Sequence, residues 1–208
     1  MKQNKYFFML VALIMLLQPS CKKECSIQFN RNTQYGTFTD ERDGNTYRTV
    51  TIGNQVWMAE NLRYVKGQQS SDPVTCTLYG QLYSPSQTEW VCPQGWHVPS
   101  QTEWEELINF LGGIDVAGGK LKEAGTSHWT APNTEAVNFS GFSALPAGGF
   151  DGNSGAFYRG TRALFWSTTQ IDFGYIMINL CYDNGKATLE NEFDHINDLR
   201  YPIRCLKD

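Results

Sequence analysis

The side chains best placed to do chemistry are six cysteines, three histidines, and one run of acids and amides. The cysteines are Cys21, Cys25, Cys76, Cys92, Cys181 and Cys205. No two form a Cys-x-x-Cys pair, and His97, His128 and His195 are scattered. Zinc spacing is therefore missing, and neither a metal centre nor a cofactor is expected. The run is Glu190-Asn191-Glu192, Asp194 and Asn197-Asp198. Calcium takes six to eight oxygens, so Glu190, Glu192, Asp194, Asn197 and Asp198 form a candidate ligand loop, although the same composition also describes a solvated loop. Asp151-Gly152-Asn153 is a weaker oxygen source and reads as a turn. His97 has no serine or carboxylate at triad spacing and reads as structural. Trp90 and Trp129 stand in polar surroundings and are the expected exposed aromatics, able to stack on a ligand. Trp57, Trp96, Trp104 and Trp166 are expected in the core.

The N-terminus has the pattern of an export signal. Lys2 and Lys5 precede twelve uncharged residues, Tyr6 to Leu17. That run is too short to span a bilayer, which needs about 20 residues. Gln18-Pro19-Ser20-Cys21 follows, with a small residue directly before a cysteine, as in bacterial lipoprotein signals. Residues 1–20 are expected to be a lipoprotein signal peptide and Cys21 the lipidated residue. The competing reading is an ordinary secretory signal cut near Ser20, which leaves Cys21 free to pair. Lipidation would leave five thiols, an odd number, with Cys25 the spare one. The implied location is the outer membrane or cell surface, and the implied partner is a membrane reached through the lipid.

The formal net charge is −4, charged residues are 18%, and the only basic pair of adjacent lysines is Lys22-Lys23. Nucleic acid is therefore not an expected partner. Aromatics at 13% and 19 glycines fit a β-rich domain with tight turns rather than a disordered or long-helical chain.

Residues 21–37 lack periodicity and read as a tether. The domain reads as 38–208. Residues 47–52 and 55–58, joined by Gly53-Asn54, predict a hairpin. Ser100 and Glu103 form a capping box, and Trp104, Leu107, Ile108 and Leu111 line one apolar face. They predict a helix ended by Gly112-Gly113. Glu103 is then a cap, and Glu105 and Glu106 face solvent, so these acids are not a glycosidase pair. A second helix is expected over 115–123. Strands are expected at 164–168, 175–182 and 199–206, with a turn at Asp183–Lys186. One helical block between two β-rich blocks gives an α+β fold. The hexapeptide PSQTEW occurs at 85–90 and again at 99–104 with unrelated flanks, which is not a repeat architecture.

Several blocks stand in order: Tyr47–Leu62, Tyr79–Tyr83, Cys92–Trp104, Gly141–Gly148, Phe165–Thr168 and Ile203–Cys205. This series resembles the Fibrobacter succinogenes major paralogous domain, found in many exported proteins of Bacteroidetes and Fibrobacteres. The resemblance covers 38–208. It implies a C-type-lectin-like fold related to that of formylglycine-generating enzymes, with short antiparallel strands around one or two helices. It also implies a bridge from the helix region to the last strand, pairing Cys92 with Cys205. Cys76 with Cys181 is the next pairing. Active formylglycine-generating enzymes need two close C-terminal cysteines that bind copper, and this chain lacks them. Sugar-binding signatures of C-type lectins (Glu-Pro-Asn, Gln-Pro-Asp, Trp-Asn-Asp) are also absent. The expectation is a non-enzymatic surface module that binds a glycan or an envelope protein. The alternatives are a structural part of an envelope or fimbrial assembly, or an inactive relative of those enzymes.

Overall fold

The computed structural model describes residues 26–66, 78–193 and 199–208. The architecture is α+β. A five-stranded sheet runs β1-β2-β3-β12-β5, formed by β1 (Gly36–Thr39), β2 (Thr46–Ile52), β3 (Gln55–Met58), β12 (Leu206–Lys207) and β5 (Trp96–His97). A three-stranded sheet runs β10-β9-β8, with β8 at Arg162–Ile171, β9 at Gly174–Cys181 and β10 at Ala187–Phe193. Two small pairs complete the strands: β11 (Tyr201–Pro202) with β4 (Leu82–Tyr83), and β6 (Gly149–Asp151) with β7 (Gly155–Phe157). Helices α1 (Gln101–Phe110) and α2 (Ile114–Leu121) lie between β5 and β6 in the chain.

The expected hairpin is β2–β3, paired from Thr49↔Met58 to Ile52↔Gln55 around Gly53, whose φ is +62°. The expected cap also forms. The Ser100 hydroxyl accepts from Glu103 N, and the Glu103 carboxylate accepts from Ser100 N at 2.7 Å. Trp104, Leu107 and Ile108 are the buried face of α1. Helix α2 keeps its two glycines because neighbouring backbone lies on them. A Cβ on Gly118 would run into the Lys186 carbonyl, and one on Gly119 into the Glu135 carbonyl. The expected second helix is shorter than 115–123 at its C-terminal end, since Lys122 leaves it in extended conformation.

Both faces of the β8–β9 pair are buried. Successive strand side chains point to opposite faces. Ala163 and Phe165 therefore enter one core with Trp57, Trp104 and Phe142, while Leu164 and Trp166 enter a second core with Tyr47, Tyr83 and Tyr201. A strand covered on both sides reads as one apolar run, which is the pattern of residues 175–181. In the first core Trp57 and Trp104 stand 4.7 Å apart and Trp104 and Phe165 5.8 Å apart. Rings of this size bury about 150–250 Å² each, stabilising by at most about 4–6 kcal/mol apiece.

The segment 199–206 is two strands with a sharp division of labour between them. Tyr201 pairs with Tyr83, Leu206 pairs with Trp57 and His97, and Ile203-Arg204-Cys205 connects them. Arg204 is 1% exposed. Its guanidinium donates to Asn61 Oδ1, Met58 O and Phe142 O and lies 4.2 Å from the Phe142 ring centroid. Burial pushes its pKa down to about 9, so it stays charged at neutral pH. Cys205 is bridged to Cys92, the pairing that the resemblance implies.

The described part of the expected tether is instead packed on the domain. Phe29 and Tyr35 lie against the first core, the Tyr35 hydroxyl donates to Gly141 O at 2.9 Å, and Gly36 and Thr37 belong to β1. Two aromatic rings with long-range partners order a segment that has no periodicity of its own.

Candidate functional site

A groove of about 590 Å³ is lined by Tyr64, Val65, Lys66, Gln81, Leu82, Tyr83, Ser84, Gln87, Trp90, Val91 and Arg200. Its rigid wall starts at Ser84, which caps a single 3-10 turn at Pro85–Gln87. The Gln87 side-chain oxygen accepts from Ser84 N at 2.8 Å, and the Thr88 hydroxyl donates to Pro85 O at 2.7 Å. Trp90 N and Val91 N both donate to Gln87 O. Val91 is buried, and the next residue, Cys92, is bridged. Trp90 is thus held between a capped turn and a disulfide, and the residue is 46% exposed.

The opposite wall is held as firmly. The Tyr83 hydroxyl donates to Tyr64 O at 2.8 Å. The Arg42 guanidinium covers the Tyr64 ring at 3.8 Å and clamps the buried Asp40 carboxylate. The Lys66 ammonium stands 5.3 Å from the Trp90 ring centroid, within cation–π range. Arg200 is fixed by paired backbone hydrogen bonds with Phe150. Among the described residues the lining has two cations and no carboxylate, in a chain whose net charge is negative. An exposed indole beside amides, a hydroxyl and cations can stack on the apolar face of a sugar ring and pair with its hydroxyls or acid groups.

Trp90 is therefore where the sequence predicts an exposed aromatic. Trp129 is not. It is 2% exposed and donates from Nε1 to Ala144 O at 3.0 Å. Its polar neighbours are buried with it because they satisfy one another. Glu123 accepts from Gln28 N at 2.6 Å and pairs with His128 Nδ1 at 2.8 Å, and Asn133 Nδ2 donates to the Glu123 and Gly125 carbonyls. Burial raises the pKa of Glu123, despite the hydrogen bonds from Gln28 and His128.

The acidic candidates are also placed differently from expectation. Glu190 and Glu192 are not on a loop; they lie in β10, whose pairing with β9 extends to Phe193↔Gly174. Glu190 Oε1 accepts from Asn179 Nδ2 and the Thr188 hydroxyl, and Glu192 Oε2 accepts from the Tyr201 hydroxyl at 2.8 Å. Burial raises the pKa of Glu192, and burial together with Glu192 raises that of Tyr201. These carboxylates are thus engaged within the strand and its neighbours. Asp194, Asn197 and Asp198 lie outside the described residues, as do Cys21, Cys25 and Cys76. Cys181 carries a free thiol. Among the described residues no group of three His, Cys, Asp or Glu side chains could hold a metal ion, and no helix is long and apolar enough to cross a membrane.

His97 has a structural setting. Its Nδ1 lies 2.6 Å from Asp208 Oδ1 and its Nε2 2.9 Å from Glu103 Oε1. Burial opposes the charged ring, but the hydrogen bonds that it donates to Asp208 and Glu103 prevail and raise its pKa.

The family model described as the Fibrobacter succinogenes major domain matches residues 50–207. The chain belongs to this family. Every described residue lining the groove falls inside the matched Fibrobacter succinogenes major domain, as do both bridged cysteines. The packed segment 26–35 and β1 precede it. No curated protein and no solved structure matches the chain. Lys66, Gln81, Ser84, Gln87 and Arg200 went unseen in the sequence as site residues. They come from separate segments, and no local pattern marks them as neighbours.

Proposed function

We propose that this chain is a non-enzymatic binding module of C-type-lectin-like fold. It is exported, held by a lipid on Cys21 at the outer membrane or cell surface, and takes a glycan bearing acid groups into the groove beside Trp90. The observation that carries the reading is the exposed Trp90 ring on a rigid wall, with the Lys66 ammonium over it. A non-enzymatic role is supported by the cysteines. Cys205, bridged to Cys92, is not available for a two-thiol copper site. The lectin-like fold is supported by the same bridge, which runs from just before α1 to the last strand. One fold carries many functions, so the groove supports the binding role more directly than the fold does.

The test is a glycan array probed with the purified mature protein, with and without calcium, carrying neutral and uronate- or sulfate-bearing chains. Retention on acidic glycans that declines with salt supports the reading. Absence of glycan binding together with co-purification of envelope proteins would replace it with an assembly role. Intact mass of the mature protein reports separately whether Cys21 is acylated.

A further inference from the structure

The loop after α2 holds two apolar side chains outward by locking the residue between them inward. Val137 is 60% and Phe139 70% exposed, while Asn138 is 1% exposed. Asn138 Nδ2 donates to the Ser143 hydroxyl at 2.8 Å and to Gln28 O at 3.3 Å, and its Oδ1 accepts from Ser143 N at 3.0 Å. Val137 N donates to Gly119 O and Ser140 N to Lys120 O, so the loop is tied to α2 on both sides of Asn138. The Lys120 ammonium lies 6.0 Å from the Phe139 ring. Val116, 41% exposed, and the Lys120 ammonium both border Gly112, where a Cβ would meet Val116 Cγ2 at 3.1 Å and Lys120 Nζ at 3.5 Å. Val137 and Phe139 on the loop and Val116 on α2 are thus exposed apolar side chains carried by segments tied together, with the Lys120 ammonium, which donates to Leu111 O at 2.7 Å, near Phe139.

The N-terminal segment is fixed to this loop through Asn138, the neighbour of Val137 and Phe139. Asn30 Nδ2 donates to Asn138 O at 2.9 Å, and Gln28 O accepts from Asn138. Six residues lie between Cys21 and Gln28, seven steps along the chain and a reach of at most about 25 Å when fully extended. A domain of this length is roughly 40 Å across. A lipid on Cys21 therefore brings the bilayer to the side on which Phe139 stands, not to the far side.

We infer that Val137, Phe139, Val116 and Lys120 form a membrane-seating face, with Phe139 entering the boundary between headgroups and acyl chains. The inference rests on the lipid-anchor reading. Its chemistry fits a bilayer surface: apolar side chains of such faces enter about 5–10 Å, and a lysine such as Lys120 beside them meets anionic headgroups. Seating this face fixes which way the rest of the domain points.

The test uses the mature full chain in vesicles of phosphatidylethanolamine and phosphatidylglycerol containing brominated lipid, which quenches indole fluorescence on contact. The variants are Phe139→Trp and Val137→Trp, compared with the parent and with Phe173→Trp. Phe173 is 74% exposed at the β8–β9 turn, about 26 Å along β9 from Cys181, the end near which the 133–141 loop binds through Thr134 and Tyr182. The expected result is an acylated mass and loss of fluorescence for the Trp at 139 and 137, with none at 173. An acylated protein whose three added tryptophans are equally unquenched overturns the membrane face and leaves the anchor standing. A mature mass without acyl groups overturns both, and the mass alone reports that.

Discussion

The Lys66 ammonium lies 5.3 Å from the centroid of the exposed Trp90 ring. The pair joins an apolar plate to a positive charge at the mouth of the groove, so the two residues are expected to contribute differently to binding. Trp90→Ala removes the stacking surface. A central aromatic of this kind contributes about 2 kcal/mol, roughly 30-fold in Kd. Because the ring is exposed, thermal stability should move by no more than about 0.5 kcal/mol. Isothermal titration with the best array glycan, alongside a melt of the same sample, separates the two effects. Unchanged affinity would remove the groove from consideration as the site.

Lys66→Ala should weaken binding mainly at low ionic strength. Its charge is exposed, and exposed charges are screened over a Debye length of about 8 Å at physiological salt. The expected signature is a parent Kd that rises with salt and a variant Kd that barely does. Parallel salt dependences would mean that the ligand does not meet Lys66.

His97 ties the start of α1 to the chain's C-terminal residue, through Glu103 and Asp208. Its pKa is raised above 6.5 in the folded chain, so its stabilisation is fully present below pH 6.5 and is lost as pH rises through the folded value. The Glu103 pKa is lowered below 4.5: burial opposes this, but bonds from Ser100 and His97 prevail. Its stabilisation is present above pH 4.5 and is lost as pH falls through its folded value. The pair should therefore help most between pH 4.5 and 6.5. Both side chains are about a third exposed, so the effect is about 1 kcal/mol or less. Melting temperature followed against pH should fall less steeply above pH 6.5 in His97→Gln than in the parent.

The Cys92–Cys205 bridge joins residues 113 apart in sequence. Chain entropy for a loop of that length corresponds to about 4–5 kcal/mol, and measured losses on removing such bridges are typically about 2–5 kcal/mol. Reduction, or the double substitution Cys92→Ala and Cys205→Ala, should lower the melting temperature by on the order of 10 °C. It should also loosen the Trp90 wall, since Cys92 follows Val91 directly. Loss of ligand affinity in the bridge variant at a temperature where it remains folded would report that coupling.

The two copies of PSQTEW show what could be read locally and what could not. In residues 99–104 the cap is Ser100, and an apolar face follows at Leu107, Ile108 and Leu111, so the helix and the burial of Trp104 were legible. In residues 85–90 the cap shifts to Ser84. Val91-Cys92-Pro93 follows, so no helix can propagate, and Trp90 is left outside. Its exposure was legible from its polar surroundings. The same reasoning failed for Trp129, because Glu123, His128 and Asn133 find partners in segments distant in sequence or off the local pattern. It failed for β10 because Thr188, Glu190 and Glu192 put polar groups on one face of the strand. A strand of this kind is specified by its partner β9 and by the turn before it rather than by its own propensity. The groove was illegible for the same reason: its walls come from segments distant in sequence that only tertiary pairing brings together.

Lys122 should prove the most sensitive polar residue in the helix-to-loop junction. It is fully buried, and its ammonium donates to the carbonyls of Thr134, Cys181 and Asn184 at 2.8–2.9 Å. One side chain thereby fixes the 133–141 loop and the β9–β10 turn to the end of α2. Lys122→Met keeps the volume but leaves three carbonyls without this donor, at a cost of about 3 kcal/mol or more. Burial pushes the Lys122 pKa down to about 8 from 10.5. Between those values the folded chain gives up a proton that the unfolded chain keeps, so this group alone makes stability rise with pH across that window. The parent should therefore gain stability relative to Lys122→Met from pH 8 to 10.5, and the 13Cε resonance of Lys122 should titrate near pH 8. A titration near 10.5 would mean that the three carbonyls hold the charge more strongly than burial resists it, and the pH-dependent gain would then be missing.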